Sequence, residues 1–313
     1  MYKRLLSALC AHDATVIGFG AFLSILIVIF HRDIPQWLAL VLVNSAVSLA
    51  IVFLAYYDQR ISNRILTFLH HWYLAPLIFL TYKELYLVIH PLRGGDYDGL
   101  LIAIDRWLFG VDPTVWIARF ASPVITEILQ IAYSSFYFLL IVVGYGLYKE
   151  RRSDFLYYVF LVVYGFYLSY IGYLLLPAVG PRFTLHNFDT LNDELPGVLL
   201  TNALRDFVNI GESIPLGVPN PIDHAQRDVF PSGHAMMMLV MMHVVVRYRM
   251  KVKWFILITG ILMIIGTVYL RYHYVVDLVA GGLFYGLCMW SAPGMSGWWE
   301  TVRSQWKDKL PHS

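Results

Sequence analysis

Apolar runs of about 20 residues, the length a helix needs to cross the hydrocarbon layer, recur along this chain between short polar breaks. About eight of them stand near residues 14–30, 36–57, 65–89, 123–148, 155–176, 233–249, 254–270 and 273–291. The pattern predicts an all-α fold, a polytopic membrane helix bundle of about eight transmembrane helices. The first run is read as a retained helix and not a cleaved signal. No small-residue cleavage site follows it, and Phe30-His31-Arg32 leads straight into the next apolar stretch. Between the third and fourth runs the pattern changes. Leu100–Phe109 and Asp112–Phe120 read as two short amphipathic helices lying along the membrane surface, with Trp107 and Trp116 at the interface and Asp112-Pro113 as a helix start.

Composition agrees with this class. The chain is 58% hydrophobic and only 14% charged, against about 25% charged in soluble domains, so it cannot coat a water-facing globule of its size. Lys+Arg 23 against Asp+Glu 21 leaves +2, and no basic cluster is interleaved with aromatics, which sets nucleic acid aside as a partner. Cys10 and Cys288 lie far apart in apolar surroundings and form no CxxC pair. The Lys/Arg positions give an orientation. Lys3, Arg4, Arg60, Arg64, Lys149, Arg151, Arg152, Arg247, Lys251, Lys253, Arg303 and Lys309 all fall on one face, which the positive-inside rule makes cytoplasmic together with both termini. The opposite, outer face receives the long stretch from Pro177 to Pro231, which is sparse in arginine and carries Glu194, Glu212 and several aspartates.

Candidate chemistry gathers at the outer ends of the runs. His273 and Asp277 are four residues apart, on one face of a helix, so the carboxylate can take the Nδ1 proton and leave Nε2 bare as nucleophile or base. A structural pair at an interface has the same spacing. Pro231-Ser232-Gly233-His234 opens the sixth run, where free backbone N–H groups and the missing side chain of Gly233 suit a phosphate, and His234 is placed to protonate a leaving oxygen. Pro177-Ala178-Val179-Gly180-Pro181-Arg182 leaves the fifth run and offers one guanidinium, with Arg271 as a second; both also fit snorkelling interfacial arginines. No acidic cluster with metal spacing accompanies these histidines, so neither a metal nor a cofactor is expected at this site.

With these motifs the chain resembles the type-2 phosphatidic acid phosphatase superfamily. Pro231-Ser232-Gly233-His234 matches the family's central motif, and His273 with Asp277 matches the end of its last motif. The resemblance implies a six-helix phosphatase-like core within the bundle, with His273 as a nucleophile forming a phosphohistidine, Asp277 as its partner and His234 as general acid. Arg182, Ser232, Gly233 and Arg271 are then the phosphate-binding group and a lipid phosphate the substrate. Two motifs depart from the pattern, at four positions. Leu175 stands where the family has lysine, with Phe183 after Arg182 where it has proline, and Gly266-Thr267 stand where it has Ser-Arg. The aromatic string Val268–Tyr274 and Asp105–Gly110 look more like the inositol phosphorylceramide synthase branch. The expected layout is therefore two added helices over 1–62, the core over 63–292 and a cytoplasmic tail over 293–313. The expected activity is metal-independent lipid phosphatase chemistry. The alternatives are transfer of the phosphoryl head group to an alcohol, and a transporter using the same histidines as a proton relay.

Overall fold

In a computed structural model the protein is all-helical, with no strand among the described residues, which are 2–92 and 94–308. Arg93 and the end of the tail from Lys309 lie outside them. Six helices are long and apolar enough to cross a membrane: Ala11–Ile29, Trp37–Asp58, Arg64–Leu92 with a break at Tyr73, Pro123–Glu150, Ser153–Leu175 and Val275–Lys307. The chain is therefore a multi-pass membrane protein. Two more apolar helices, Gly233–Arg247 and Lys253–Tyr269, have 15 and 17 residues. At about 1.5 Å per residue they fall short of a layer about 30 Å thick. The two histidine motifs lie at one end of each, before Gly233–Arg247 and after Lys253–Tyr269, and their turns take residues that would otherwise extend a span.

The sequence expectations hold for element type and shift at the ends. Leu100–Phe109 becomes the helix Asp98–Phe109, and the Pro113–Ile117 helix follows with a 3-10 turn to Phe120. Trp107 is 81% exposed. Asp112 does precede Pro113 at the helix start, but its side chain makes no cap and instead receives Arg106 Nε at 2.8 Å and Nη2 at 3.0 Å. An ion pair with a bidentate guanidinium outcompetes a single amide bond. The last helix does not stop near 291; it runs on through Pro293 to Asp308.

By internal contacts the chain divides into two compact units. The first comprises residues 1–92, 147–167 and 287–313. Phe19 stacks on Tyr167 at 4.1 Å, and Asn44 Nδ2 donates to Glu84 Oε1 at 2.7 Å. The extended last helix is pinned by Trp299 Nε1 and Arg303 Nε, each donating at 3.0 Å to the carbonyls of Leu9 and Ser7.

The second unit comprises residues 93–146 and 168–286. Its long stretch after Pro177 is not a structureless loop. It folds into the short helices Pro181–Thr184, Leu191–Glu194 and Pro221–His224 and the longer Thr201–Gly211. Glu127 fastens this stretch. Its carboxylate accepts the N–H groups of Val198, Leu199 and Leu200 at 2.8, 3.1 and 2.7 Å and the hydroxyl of Thr201 at 2.7 Å. A carboxylate at the start of a helix supplies acceptors for donors that have no partner within the helix. A small core of Leu101, Ala178, Val229 and Tyr274 packs where four distant segments meet.

Candidate active site

In chain order the motifs are Pro177–Arg182, Pro231–His234 and Arg271–Asp277, and the third begins where the Lys253–Tyr269 helix ends. Leu270 is the C-cap, Arg271 N donates to Val268 O at 3.1 Å, and Tyr272 N donates to Thr267 O at 2.9 Å. This is the double bond pattern of a Schellman closure, in which the residue after the cap is left-handed and commonly glycine. Here that residue is Arg271, with φ +67. An arginine held where glycine is favoured costs of order 1 kcal/mol. A position that pays this penalty keeps the side chain for a reason other than the turn.

The turn delivers His273 and opens the last helix. Asp105 receives the N–H groups of Val275 and Val276 at 2.9 and 2.8 Å, so a carboxylate from the Asp98–Phe109 helix caps this one from outside. Asp277 Oδ2 receives Tyr274 N at 2.8 Å, the returning half of a capping box.

The first and second motifs are hung on this turn. Arg182 N donates to Arg271 O at 3.1 Å, and Ser232 N donates to Asp277 O at 3.0 Å. Asp98 ties the first motif to the third: it accepts Val179 N at 3.0 Å, Gly180 N at 2.8 Å and Tyr274 Oη at 2.7 Å. Gly180 has φ +96, and a Cβ there would stand 2.9 Å from the Tyr272 carbonyl, so only glycine permits this approach. Ser232 caps its helix, accepting Ala235 N at 3.2 Å, after a cis Phe230-Pro231 bond. A Cβ on Gly233 would meet Tyr173 Oη at 2.3 Å, so the motif is closely walled on that side.

All the residues singled out in the sequence thus belong to one unit. The rings of His234 and His273 face each other at 60° with centroids 6.1 Å apart. His273 Nδ1 is 3.1 Å from Val229 O and 3.5 Å from Asp277 Oδ2. The i, i+4 spacing did bring the carboxylate to the correct nitrogen, but the carbonyl is closer and shares it. Either acceptor fixes the tautomer with the proton on Nδ1. Nε2 of His273 has no hydrogen-bond partner among the described residues. His234 stacks on Tyr133 at 4.8 Å and lies tilted against Phe136 at 4.7 Å, with the hydroxyls of Tyr133 and Tyr137 at 3.5 and 3.4 Å from its two nitrogens.

The two guanidiniums are already occupied. Buried Arg182 donates to Asn209 Oδ1 at 3.0 Å and to Glu212, and lies over the Tyr272 ring at 5.1 Å. Burial pushes the Glu212 carboxyl up, against the pull of Arg182; at Arg182 burial pushes the guanidinium down, but Glu212 and the further groups around it together hold it up. Arg271 Nη1 donates to Glu194 Oε2 at 2.5 Å, and its Nε is buried with no hydrogen-bond partner. Thr190 and Arg271 together hold the Glu194 carboxyl below its usual range. Sequence reasoning missed the roles of Asp98, Asp105, Asn209, Glu212, Glu194 and Tyr133. Each is a single polar or aromatic residue far along the chain from its partner, with no spacing to betray it.

A family model described as the PAP2 superfamily matches residues 100–291, a stretch that contains all three motifs. No curated protein and no solved structure matches the chain.

Proposed function

The chain belongs to the PAP2 superfamily, and from that premise we propose that it is a membrane-embedded lipid phosphatase working through a phosphohistidine at His273. The observation that carries this reading is the pair of imidazoles with centroids 6.1 Å apart, a span that a single phosphoryl group bridges. With Nδ1 directed to the Val229 carbonyl, Nε2 of His273 attacks phosphorus in line. The P–O bond to the lipid breaks, and His234 gives its proton to the departing alkoxide. Arg182 and Arg271 take the equatorial oxygens, which requires Glu212 and Glu194 to give way as the phosphate arrives. Water then attacks the phosphohistidine, His234 accepts the proton it loses, and inorganic phosphate leaves.

No step passes through a metal. The active face is the outer one and both termini are cytoplasmic, on the strength of the Lys/Arg distribution. An alcohol in place of water would make the same residues a transferase. Gly233 tips the reading slightly toward water: by family resemblance the synthase branch more often has a larger residue there, and Tyr173 Oη stands 2.3 Å from where its Cβ would be.

The test supplies purified protein with a lipid phosphate labelled at phosphorus, quenched in alkali. Label on the chain, lost in His273→Ala, with inorganic phosphate as the product in the presence of candidate alcohols, is the expected result. An unlabelled chain and equal phosphate release from wild type and His273→Ala would overturn the enzyme; label ending on an added alcohol would convert it to a transferase.

A further inference from the structure

The first unit contains a second gathering of histidine and carboxylate that phosphoryl transfer does not use. Cys10, His12 and Asp13 open the Ala11–Ile29 helix, and their ligating atoms all lie within 4.8 Å of one another. His12 is 1% exposed and Asp13 0%. His12 Nε2 is buried, makes no hydrogen bond, and stands 3.4 Å from Asp13 Oδ1. Two ligands on bonds of about 2.0–2.3 Å around a tetrahedral ion sit about 3.3–3.8 Å apart, so this spacing is that of neighbours in a coordination shell.

A third segment reaches the same carboxylate. His70 Nε2 is 3.1 Å from Asp13 Oδ2, while its Nδ1 is 2.8 Å from Asp58 Oδ2, and Asp58 in turn receives Thr67 Oγ1. A histidine whose far nitrogen is held by a carboxylate, itself hydrogen-bonded, is the orienting arrangement found behind metal ligands. The rest of Asp13 is engaged by Cys10 N at 2.7 Å and Tyr73 Oη at 2.7 Å, which fix its position. A fully buried Asp13 carboxylate that faces the unpartnered Nε2 of His12, with the half-buried Cys10 thiol beside it, is favoured by a cation that joins them.

We infer that Cys10, His12, Asp13 and His70 form a structural site for a divalent transition-metal ion, zinc fitting this mixed sulfur, nitrogen and oxygen set best. Asp58 orients His70 from behind. The ion displaces the Cys10 thiol proton on binding, so thiolate and Asp13 balance its charge. The site joins the segment before the first span to the Arg64–Leu92 helix, and none of its residues belongs to the catalytic unit. It therefore stands or falls independently of the phosphatase reading.

The experiment uses the untagged full-length chain in detergent, prepared metal-free and titrated with Co²⁺ and then Zn²⁺. The expected result is one Co²⁺ per chain with a thiolate-to-cobalt charge-transfer band, displaced by one Zn²⁺. The chain has two thiols, so Cys10→Ser should abolish the band while Cys288→Ser and His273→Ala keep it. Asp58→Asn should weaken Zn²⁺ binding by about 10–100-fold with the stoichiometry unchanged. Absence of a charge-transfer band in the wild-type chain overturns the site whatever the variants do, and so does a band that survives in Cys10→Ser. His12→Ala, checked for monodispersity and replaced by His12→Gln should it aggregate, should lose at least 10-fold in affinity; unchanged affinity would likewise overturn it.

Discussion

The two units solve opposite problems with the same residue types. In the first, His70 has a carboxylate on each ring nitrogen, Asp13 at 3.1 Å and Asp58 at 2.8 Å, and His12 faces Asp13 as well. In the second, His273 has its Nδ1 held at Val229 and Asp277 but its Nε2 unclaimed by the described residues, and the same unit holds the guanidiniums of Arg182 and Arg271, each paired with a glutamate, Glu212 and Glu194. Under the two proposals, imidazoles set among carboxylates take a cation, and imidazoles in a unit whose guanidiniums can exchange a glutamate for phosphate take an anion. What an HxxxD or an HD string does is decided by the charges that tertiary structure brings to it.

The largest effect should come from removing the unclaimed nitrogen. His273→Ala should lower phosphate release from a lipid phosphate by about 10⁴-fold or more, since nucleophile loss removes the whole covalent route. His234→Ala should cost about 10²–10⁴-fold, and less with a substrate whose leaving group needs no proton. Turnover within threefold of wild type in either variant would dissolve the contrast between the units.

The next effect concerns the cations. Arg182→Ala leaves Glu212 buried without its partner, for which about 3–5 kcal/mol of destabilisation is expected, seen as a large drop in melting temperature. Glu212→Gln keeps the shape while withdrawing the carboxylate that competes with phosphate. Inorganic phosphate should therefore inhibit Glu212→Gln at several-fold lower concentration than wild type. Equal inhibition would mean that Arg182 serves the fold alone.

How far the sequence reached follows from the range of each interaction. Helix type and membrane class were legible because apolar periodicity is local and repeated many times. The three motifs were legible because each is a short string whose members act within one turn. Their convergence was reachable only through topology, which put each at an outer helix end. What carries them into contact was not legible: Asp98 bridges Val179, Gly180 and Tyr274 across 81, 82 and 176 positions, and one aspartate at the start of a helix has no pattern. Nor could spacing show that the Val229 carbonyl lies nearer to His273 Nδ1 than Asp277 does. The left-handed Arg271 was hidden for the same reason, since a Schellman closure is normally betrayed by a glycine that is absent here.

Gly233 tests the walling of the anion site more gently. Gly233→Ala places a methyl where Tyr173 Oη now stands and should cost about 1–3 kcal/mol in stability, with Tyr173→Phe restoring part of it. An additive double variant would show that the two do not meet.

The smallest effect reads the sign of the second unit's field directly. His186 bonds Thr114 Oγ1 at 3.0 Å, and burial, reinforced by the Arg271 charge, lowers its pKa to about 4 from 6.5. Because the folded value is the lower one, the folded state binds fewer protons than the unfolded chain between those limits. Stability contributed by neutral His186 is thus complete above about pH 6.5 and is lost as the pH falls towards 4. His186→Gln should flatten the fall in melting temperature over that window by a degree or so, about what a partly exposed group supports. Arg271→Gln should flatten it in part, by withdrawing the cation that disfavours the imidazolium. A fall in melting temperature from pH 7 down to 4 that is as steep in Arg271→Gln as in wild type would mean that this guanidinium does not bear on histidine charge in the unit, and the distinction between an anion-seeking and a cation-seeking set of histidines would lose its electrostatic basis.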